Sequence, residues 1–78
     1  MDYVYITLVA DTNKADLKVP AFVTISELLD MLSEASAQLG FVIGKDSRIQ
    51  AEPLGRILDN EKTLEEEGVT QGSILTIV

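Results

Sequence analysis

One amphipathic segment constrains the fold more than any other feature of the sequence. In TISELLDMLSEASAQLG, residues 24–40, apolar side chains recur every three or four residues and form one stripe: Ile25, Leu28, Leu29, Leu32, Ala35 and Leu39. Thr24 and Glu27 have the spacing of a capping box, and Gly40 suits the position after the last turn. We predict a helix from about residue 25 to residue 38. Its apolar stripe requires a second layer of structure to cover it.

The segment before this helix has the period of two that is typical of strands. Residues 3–10 place Val4, Ile6, Leu8 and Ala10 on one face and Tyr3, Tyr5, Thr7 and Val9 on the other. Asp and Asn in residues 11–14 favour a turn. Residues 15–19 resume the alternation through Leu17 and Val19, and Pro20 ends it because proline cannot donate to a ladder. These patterns predict a β-hairpin.

Shorter elements follow the helix. We expect residues 41–44 to fold back over the helix end and residues 48–52 to form a strand with Ile49 and Ala51 inward. The remaining predicted segments are a turn at 53–55, a very short strand at 56–58, one helical turn beginning at Thr63 with Leu64 buried and Gly68 ending it, a tight turn at 70–73 and a last strand at 74–78.

This order predicts an α+β roll, in which a mixed sheet of four to five strands packs on one helix. With 78 residues, we expect one domain, 1–78, with a small core. The formal net charge of −7 argues against unaided binding to nucleic acid or anionic lipid. Asp2 stands where an export signal has Lys or Arg, and no run is long enough for a membrane span. We expect a cytoplasmic protein, because the chain has no Cys for disulfides.

Catalytic and metal-binding groups are not suggested by the sequence. It contains neither His nor Cys, so we expect no enzyme activity and no cofactor. Asp46, Glu52, Asp59 and Glu61 lack the spacing of a calcium loop. The run Glu65, Glu66, Glu67 is either a docking patch for a basic partner or a solvated turn, and we favour the turn.

The element order and two motifs resemble the ubiquitin-like β-grasp fold. The closing stretch KTLEEEGVTQGSILTIV is similar to that of ubiquitin, with Thr63-Leu64 before a tight turn, then Val69 as a buried aliphatic residue, and an alternating last strand that contains Leu75 and Ile77. The helix start VTISELL is also similar. Ubiquitin and sulfur-carrier relatives end in a Gly-Gly tail, whereas this sequence ends at Val78. If Val78 is the native terminus, conjugation is excluded. The alternatives are a carrier protein trimmed of its tail and a domain excised from a larger protein.

A second resemblance is to the YukD/EsaB family of type VII secretion systems in Gram-positive bacteria. It lies in LKVPAFVTISELL, in the loop LGFVIGKDSRI and in the Gly-x-Ile-Leu ending. The resemblance implies a cytosolic, non-enzymatic accessory or regulatory protein. Its implied partner is a membrane component or an ATPase of the secretion machine.

The outward face of the predicted sheet is the best candidate for a protein-interaction surface. If the first and last strands pair, this face carries Tyr3, Tyr5, Gln50, Ile74, Thr76 and Val78. It is more apolar than solvation requires, and Tyr is enriched in interfaces. Strand propensity alone is the competing explanation. A homodimer through this face is a further hypothesis. We expect Phe22 and Phe41, which flank the helix, to be core or staple residues.

Overall fold

Five strands and two helices form the regular structure of the computed structural model, which describes residues 2–40, 43–44 and 46–78. The elements are β1 (Tyr3–Ala10), β2 (Asn13–Pro20), α1 (Ile25–Leu39), β3 (Ile49–Glu52), β4 (Arg56–Ile57), α2 (Leu64–Glu67) and β5 (Ser73–Ile77). Their order is the one that the sequence predicts. Element ends differ by one or two residues, as is usual when hydrogen bonds define them.

The strands form one mixed sheet in the order β2-β1-β5-β3-β4. The first and last strands, β1 and β5, are parallel neighbours, and every other pair is antiparallel. Helix α1 lies on one face of this sheet, where its apolar side chains share one core with the inward side chains of β1. The fold is therefore α+β, as predicted, and no helix among the described residues covers the opposite face of the sheet.

The core lies between the sheet and α1. The inward side chains of β1 and the α1 stripe from Ile25 to Leu32 are buried, together with Leu58, Leu64, Val69 and Leu75 from the second half of the chain. Ile43 is also buried, and the Ser33 hydroxyl donates to its carbonyl oxygen at 3.5 Å. Ile43 therefore folds back on α1 as expected; residues 41 and 42 lie outside the described part of the chain.

Both helices begin with a capping box. In α1, the Thr24 hydroxyl accepts from the Glu27 amide at 3.1 Å, and the Glu27 carboxylate accepts from the Thr24 amide at 3.2 Å. In α2, Thr63 and Glu66 form the same pair of bonds at 3.0 Å. Thr24 and Thr63 also form an isolated antiparallel bridge. The two helix starts are thereby fixed side by side.

The hairpin is longer than the sequence suggests. Strand β2 begins at Asn13, and Pro20 still pairs with Tyr3. The turn is only Asp11-Thr12, with Asp11 in the left-handed region at φ 55°. Asp tolerates this conformation better than most residues, so Asn13 is free to join the ladder. The turn also contacts the end of α1, because the side-chain amide nitrogen of Asn13 donates to the Gly40 carbonyl oxygen at 3.0 Å.

Candidate protein-interaction surface

The outward face of the sheet has two parts. In the centre, Gln50 lies directly opposite Thr76, and Ile74, two residues before Thr76 on β5, lies opposite Thr7 of β1. Ile74 is 43% exposed, whereas Gln50 and Thr76 are half-buried. The predicted residues Gln50, Ile74 and Thr76 are therefore neighbours. Together they make a central strip on the uncovered face.

Tyr3 and Tyr5 lie at one end of the face, on β1, with Tyr5 diagonal to Ile74 across the β1–β5 ladder. Tyr5 is 61% exposed, which confirms its predicted outward direction. Its backbone bonds reach the turn before β5: the Tyr5 carbonyl accepts from the Gly72 amide, and the Tyr5 amide donates to the Gln71 side chain, both at 2.8 Å. Since Gly72 has no side chain, a shallow depression of about 280 Å³ lies beside Tyr5.

Val78 lies at the other end. It follows β5 and forms two backbone hydrogen bonds with Arg48, at 2.9 and 3.1 Å. These bonds continue the pairing of β3 with β5, so Val78 is held at the edge of the central strip with its side chain exposed. The structure thus brings together Gln50, Ile74 and Thr76, with Val78 beyond them, while Tyr5 lies diagonally across from Ile74, two residues along β1 from its partner Thr7.

Phe22 enlarges the aromatic end, and the sequence-based expectation for it is wrong. We expect a core or staple residue, but Phe22 is 57% exposed. Its ring meets that of Tyr3 edge-on, with centroids 6.2 Å apart. Ala21 takes the inward place beside it and is fully buried. Phe41, the other aromatic of that expectation, lies outside the described residues.

Two further side chains on this face are absent from the predicted set. The Lys18 ammonium lies 5.0 Å from the Tyr3 ring centroid and 6.0 Å from that of Tyr5, which is within cation–π range. Ile57, 49% exposed, lies opposite Gln50 and extends the central strip onto β4. The position of Lys18 on this face could have been predicted from the hairpin register, which places Lys18 opposite Tyr5. Only the pairing of β3 with β4 reveals Ile57.

The charges of this face are balanced, unlike those of the chain. Within the bounds of the strands, the outward positions carry two basic and two acidic side chains, Lys14, Lys18, Asp16 and Glu52, and Arg48, the ladder partner of Val78 just before β3, is a further basic residue at the edge of the face. The whole chain has thirteen acidic and six basic residues. Most of the excess negative charge therefore lies elsewhere on the molecule. A partly apolar face without an excess of acidic side chains presents a protein partner with less repulsion than the net charge of the chain would suggest.

The run Glu65, Glu66, Glu67 is neither simply a docking patch nor simply a solvated turn, because two of its side chains have structural partners. Glu66 belongs to the capping box of α2. The Glu67 side chain is only 4% exposed, and its Oε2 accepts from Arg56 Nη1 at 2.7 Å and from the Asp59 amide at 2.9 Å. The Asp59 amide and then the Arg56 guanidinium lower the pKa of Glu67, which outweighs the opposing effect of burial. The side chain of Glu67 therefore links α2 to β4 and to the loop after β4 by hydrogen bonds.

Neither a metal cluster nor a membrane-spanning helix occurs in the described part of the chain. No three acidic side chains among residues 2–40, 43–44 and 46–78 lie close enough together to hold a metal ion. Within the same ranges, no helix has the length and apolar character needed to cross a membrane.

The parallel pairing of first and last strands, with one helix on the sheet, defines a ubiquitin-like β-grasp protein. Solved structures share this fold. The chain is 20% identical to ubiquitin of Caldiarchaeum subterraneum, with a TM-score of 0.73, over 96% of this chain and 90% of that one. It is 20% identical to a ubiquitin-like domain of Arabidopsis thaliana, with a TM-score of 0.74, over 100% and 78%. At these identities the likeness shows the fold alone.

Two comparisons concern secretion. The ubiquitin-like domain of the Mycobacterium tuberculosis type VII secretion system protein ECCD1 is 26% identical, with a TM-score of 0.68, over 100% of this chain and 99% of that one. The family model of YukD, a protein of the WXG100 protein secretion system, matches residues 3–77. The chain therefore belongs to the YukD family, and the resemblance found in the sequence is confirmed. No curated protein matches the sequence.

Proposed function

We propose that the chain is a non-enzymatic interaction module that acts as a cytosolic accessory or regulatory component of a bacterial type VII secretion system. The family match over residues 3–77 carries the connection with secretion. The mode of action is docking of a protein partner, such as a membrane component or an ATPase of the machine, on the outward face of the sheet.

The uncovered face supports docking as the mode of action. Ile74, Ile57 and Val78 expose apolar surface around the half-buried Gln50 and Thr76, and the two tyrosines add aromatic surface at one end. Aromatic side chains supply large contact areas at low entropic cost and are enriched among residues that dominate binding energy. Balanced charge on this face removes the electrostatic penalty that the rest of this acidic chain imposes on an acidic partner.

A domain excised from a larger secretion protein is the second candidate. The observation that favours it is the ECCD1 structure, which is a ubiquitin-like domain of a type VII secretion system protein and matches almost end to end. In that case the same face docks against the rest of the parent protein or its neighbours. The coding sequence on either side of these 78 residues distinguishes the two candidates.

The test is an affinity pull-down from detergent-solubilised native cells, read by mass spectrometry. The variants are Tyr5→Glu at the aromatic end and Ile74→Glu in the central strip. Met31→Glu is the matched control, because Met31 is a similarly exposed apolar residue but lies on α1. Truncating a dominant interface residue costs about 2 kcal/mol or more, which is roughly a thirtyfold loss of affinity.

Three outcomes separate the parts of the proposal. Recovery of a secretion subunit by wild type and Met31→Glu, but not by the two sheet variants, supports both the system and the face. Equal recovery by all four proteins removes the sheet face from the proposal and keeps the secretion role. If wild type recovers no secretion subunit, the docking function is wrong.

A further inference from the structure

The free edge of β2 suggests a second interaction, independent of the sheet face. Strand β2 forms one edge of the sheet and pairs with β1 through eight consecutive residues without a bulge. The opposite edge is β4, which has only two residues. Within residues 2–40, 43–44 and 46–78 no further strand pairs with the outer side of β2, and an edge of this length presents backbone groups that another strand can bind.

The backbone groups at this edge can be assigned to particular residues. The Ala21 amide donates to the Asp2 carbonyl oxygen at 2.9 Å, so residues 2 and 21 form a hydrogen-bonded pair of the antiparallel ladder. Because such pairs alternate with non-bonded ones, the odd-numbered residues of β2 bond β1 and the even-numbered ones face the edge. Tyr5 agrees, since both its backbone groups turn toward the β5 side. The residues that direct their amides and carbonyls outward are therefore Lys14, Asp16 and Lys18.

The side chains at the edge are self-complementary in one register. If two β2 strands pair about a two-fold axis, Leu17 opposite Leu17 sets each Asp16 against Lys18 of the second copy. The overlap then runs from residue 14 to residue 20. Centring the axis on Asp16 instead puts Asp against Asp and Lys14 against Lys18, which is unfavourable. Centring it on Ala15 sets Lys14 against Asp16 but shortens the strand overlap to residues 13–17.

We propose that β2 pairs antiparallel with β2 of a second copy of this chain, with Leu17 facing Leu17. The two five-stranded sheets then join into one continuous sheet. Asp16 and Lys18 form two ion pairs on the outward face, and each contributes backbone bonds at the junction. On the inner face, the half-exposed Leu17 and Ala15 are covered by Leu17 and Val19 of the second copy.

Both charged groups retain bonding capacity for this role. One oxygen of Asp16 accepts from the Thr7 hydroxyl at 2.8 Å, which leaves the other oxygen for a partner. Lys18 lies over the Tyr3 and Tyr5 rings, and its ammonium has three donors. Strand pairing alone is a small interface, in the class of weak and transient contacts below about 1,200 Å². The dimer therefore forms at high protein concentration.

Charge exchange tests the proposal by sedimentation equilibrium of the purified chain over a wide concentration range. Asp16→Lys alone sets Lys against Lys at both ion pairs, and Lys18→Asp alone sets Asp against Asp. Each should weaken self-association roughly tenfold or more, because two attractive pairs become repulsive. An equimolar mixture of the two variants restores both pairs and should associate as tightly as wild type.

Lys14→Asp is the matched control. It makes the same change of charge as Lys18→Asp on the same strand and at the same edge, but residue 14 faces the uncharged Pro20 of the second copy. Its self-association should stay within about threefold of wild type, since no opposed pair is altered. Circular dichroism of each variant checks the fold, and all three positions are exposed in the monomer.

The outcomes are decisive in each direction. A concentration-dependent dimer that both single variants weaken and their mixture restores establishes the register. A wild-type chain that remains monomeric at every concentration overturns the proposal and assigns the edge charges to protection against pairing. A dimer that neither variant weakens overturns the β2 edge as its interface. A dimer that both variants weaken but their mixture fails to restore overturns the proposed register.

Discussion

Glu67 is predicted to stabilise the fold more than any exposed acidic residue of the chain. It lies at the end of α2, yet its carboxylate binds the Arg56 guanidinium of β4 and the Asp59 amide. Arg56 Nη2 also donates to the Glu67 carbonyl oxygen at 3.0 Å. Replacing the side chain by alanine removes both carboxylate bonds and leaves the Asp59 amide without this acceptor. Arg56 is half exposed, so water replaces part of its lost interaction.

The magnitude follows from these contacts. A hydrogen bond to a charged group contributes about 1.5–3 kcal/mol, and the part-buried bond from the Asp59 amide retains more of this value than the bond from half-exposed Arg56. After the discount for Arg56, we expect Glu67→Ala to lower the free energy of unfolding by about 2–3 kcal/mol. For a domain of this size, about 1 kcal/mol corresponds to a shift of ~4–8 °C, so the melting temperature should fall by roughly 10–20 °C.

The assay is urea unfolding at neutral pH followed by circular dichroism, with thermal melts beside it. Glu34→Ala is the matched control, since Glu34 is exposed on α1. Its stability should change by less than about 0.5 kcal/mol. Equal stabilities of Glu67→Ala and Glu34→Ala would refute the conclusion that Glu67 stabilises the fold by linking α2 to β4.

Two further predictions use the same assay. Folding lowers the pKa of Glu67, so its ionised carboxylate stabilises the fold in full above the pKa of a glutamate in the unfolded chain, about 4.3, and this stabilisation is lost as pH falls through the lower pKa of the folded state. The difference in unfolding free energy between wild type and Glu67→Gln should therefore shrink below about pH 4. A difference that stays constant with pH would show that the charge of Glu67 is not its source. Phe22→Ala should lower the free energy of unfolding by less than about 1 kcal/mol because the ring is exposed, whereas Leu64→Ala should lower it by about 2–5 kcal/mol because Leu64 is buried. A loss of several kcal/mol for Phe22→Ala would show that Phe22 is a core residue.

Local patterns predict most of the fold. The alternation of residues 3–10 and the stripe that begins at Ile25 each depend on one element packing one face inward, and the structure buries the inward side chains of β1 and the stripe through Leu32. The capping box at Thr24 and the turn at Gly72, with φ 83°, follow from local backbone chemistry. These features are readable in the sequence because their partners lie within a few residues.

The errors arise where partners are distant in sequence. Glu67 looks like one of three solvated acids because Arg56, its partner, is eleven positions away on a strand of two residues. Phe22 looks like a core residue by composition, but Ala21 already fills the inward place beside it. The alternation of β1 predicts the outward direction of Tyr5 correctly, while its position relative to Ile74 depends on the register of β1 against β5, which no local pattern specifies.

The proposed edge and the proposed face are compatible, and their combination has a physical consequence. Pairing through β2 extends the sheet sideways and leaves Ile74, Thr76 and Gln50 uncovered in both copies, because these residues lie beyond β1 from the junction. A dimer would then present two such strips on one continuous surface. If its partner is itself oligomeric, binding of the second strip becomes intramolecular, so two weak contacts yield a tight complex without any added contact. Lys18→Asp should then weaken recovery of the partner in the pull-down, and an equimolar mixture of Lys18→Asp and Asp16→Lys should restore it. Lys14→Asp should leave recovery unchanged.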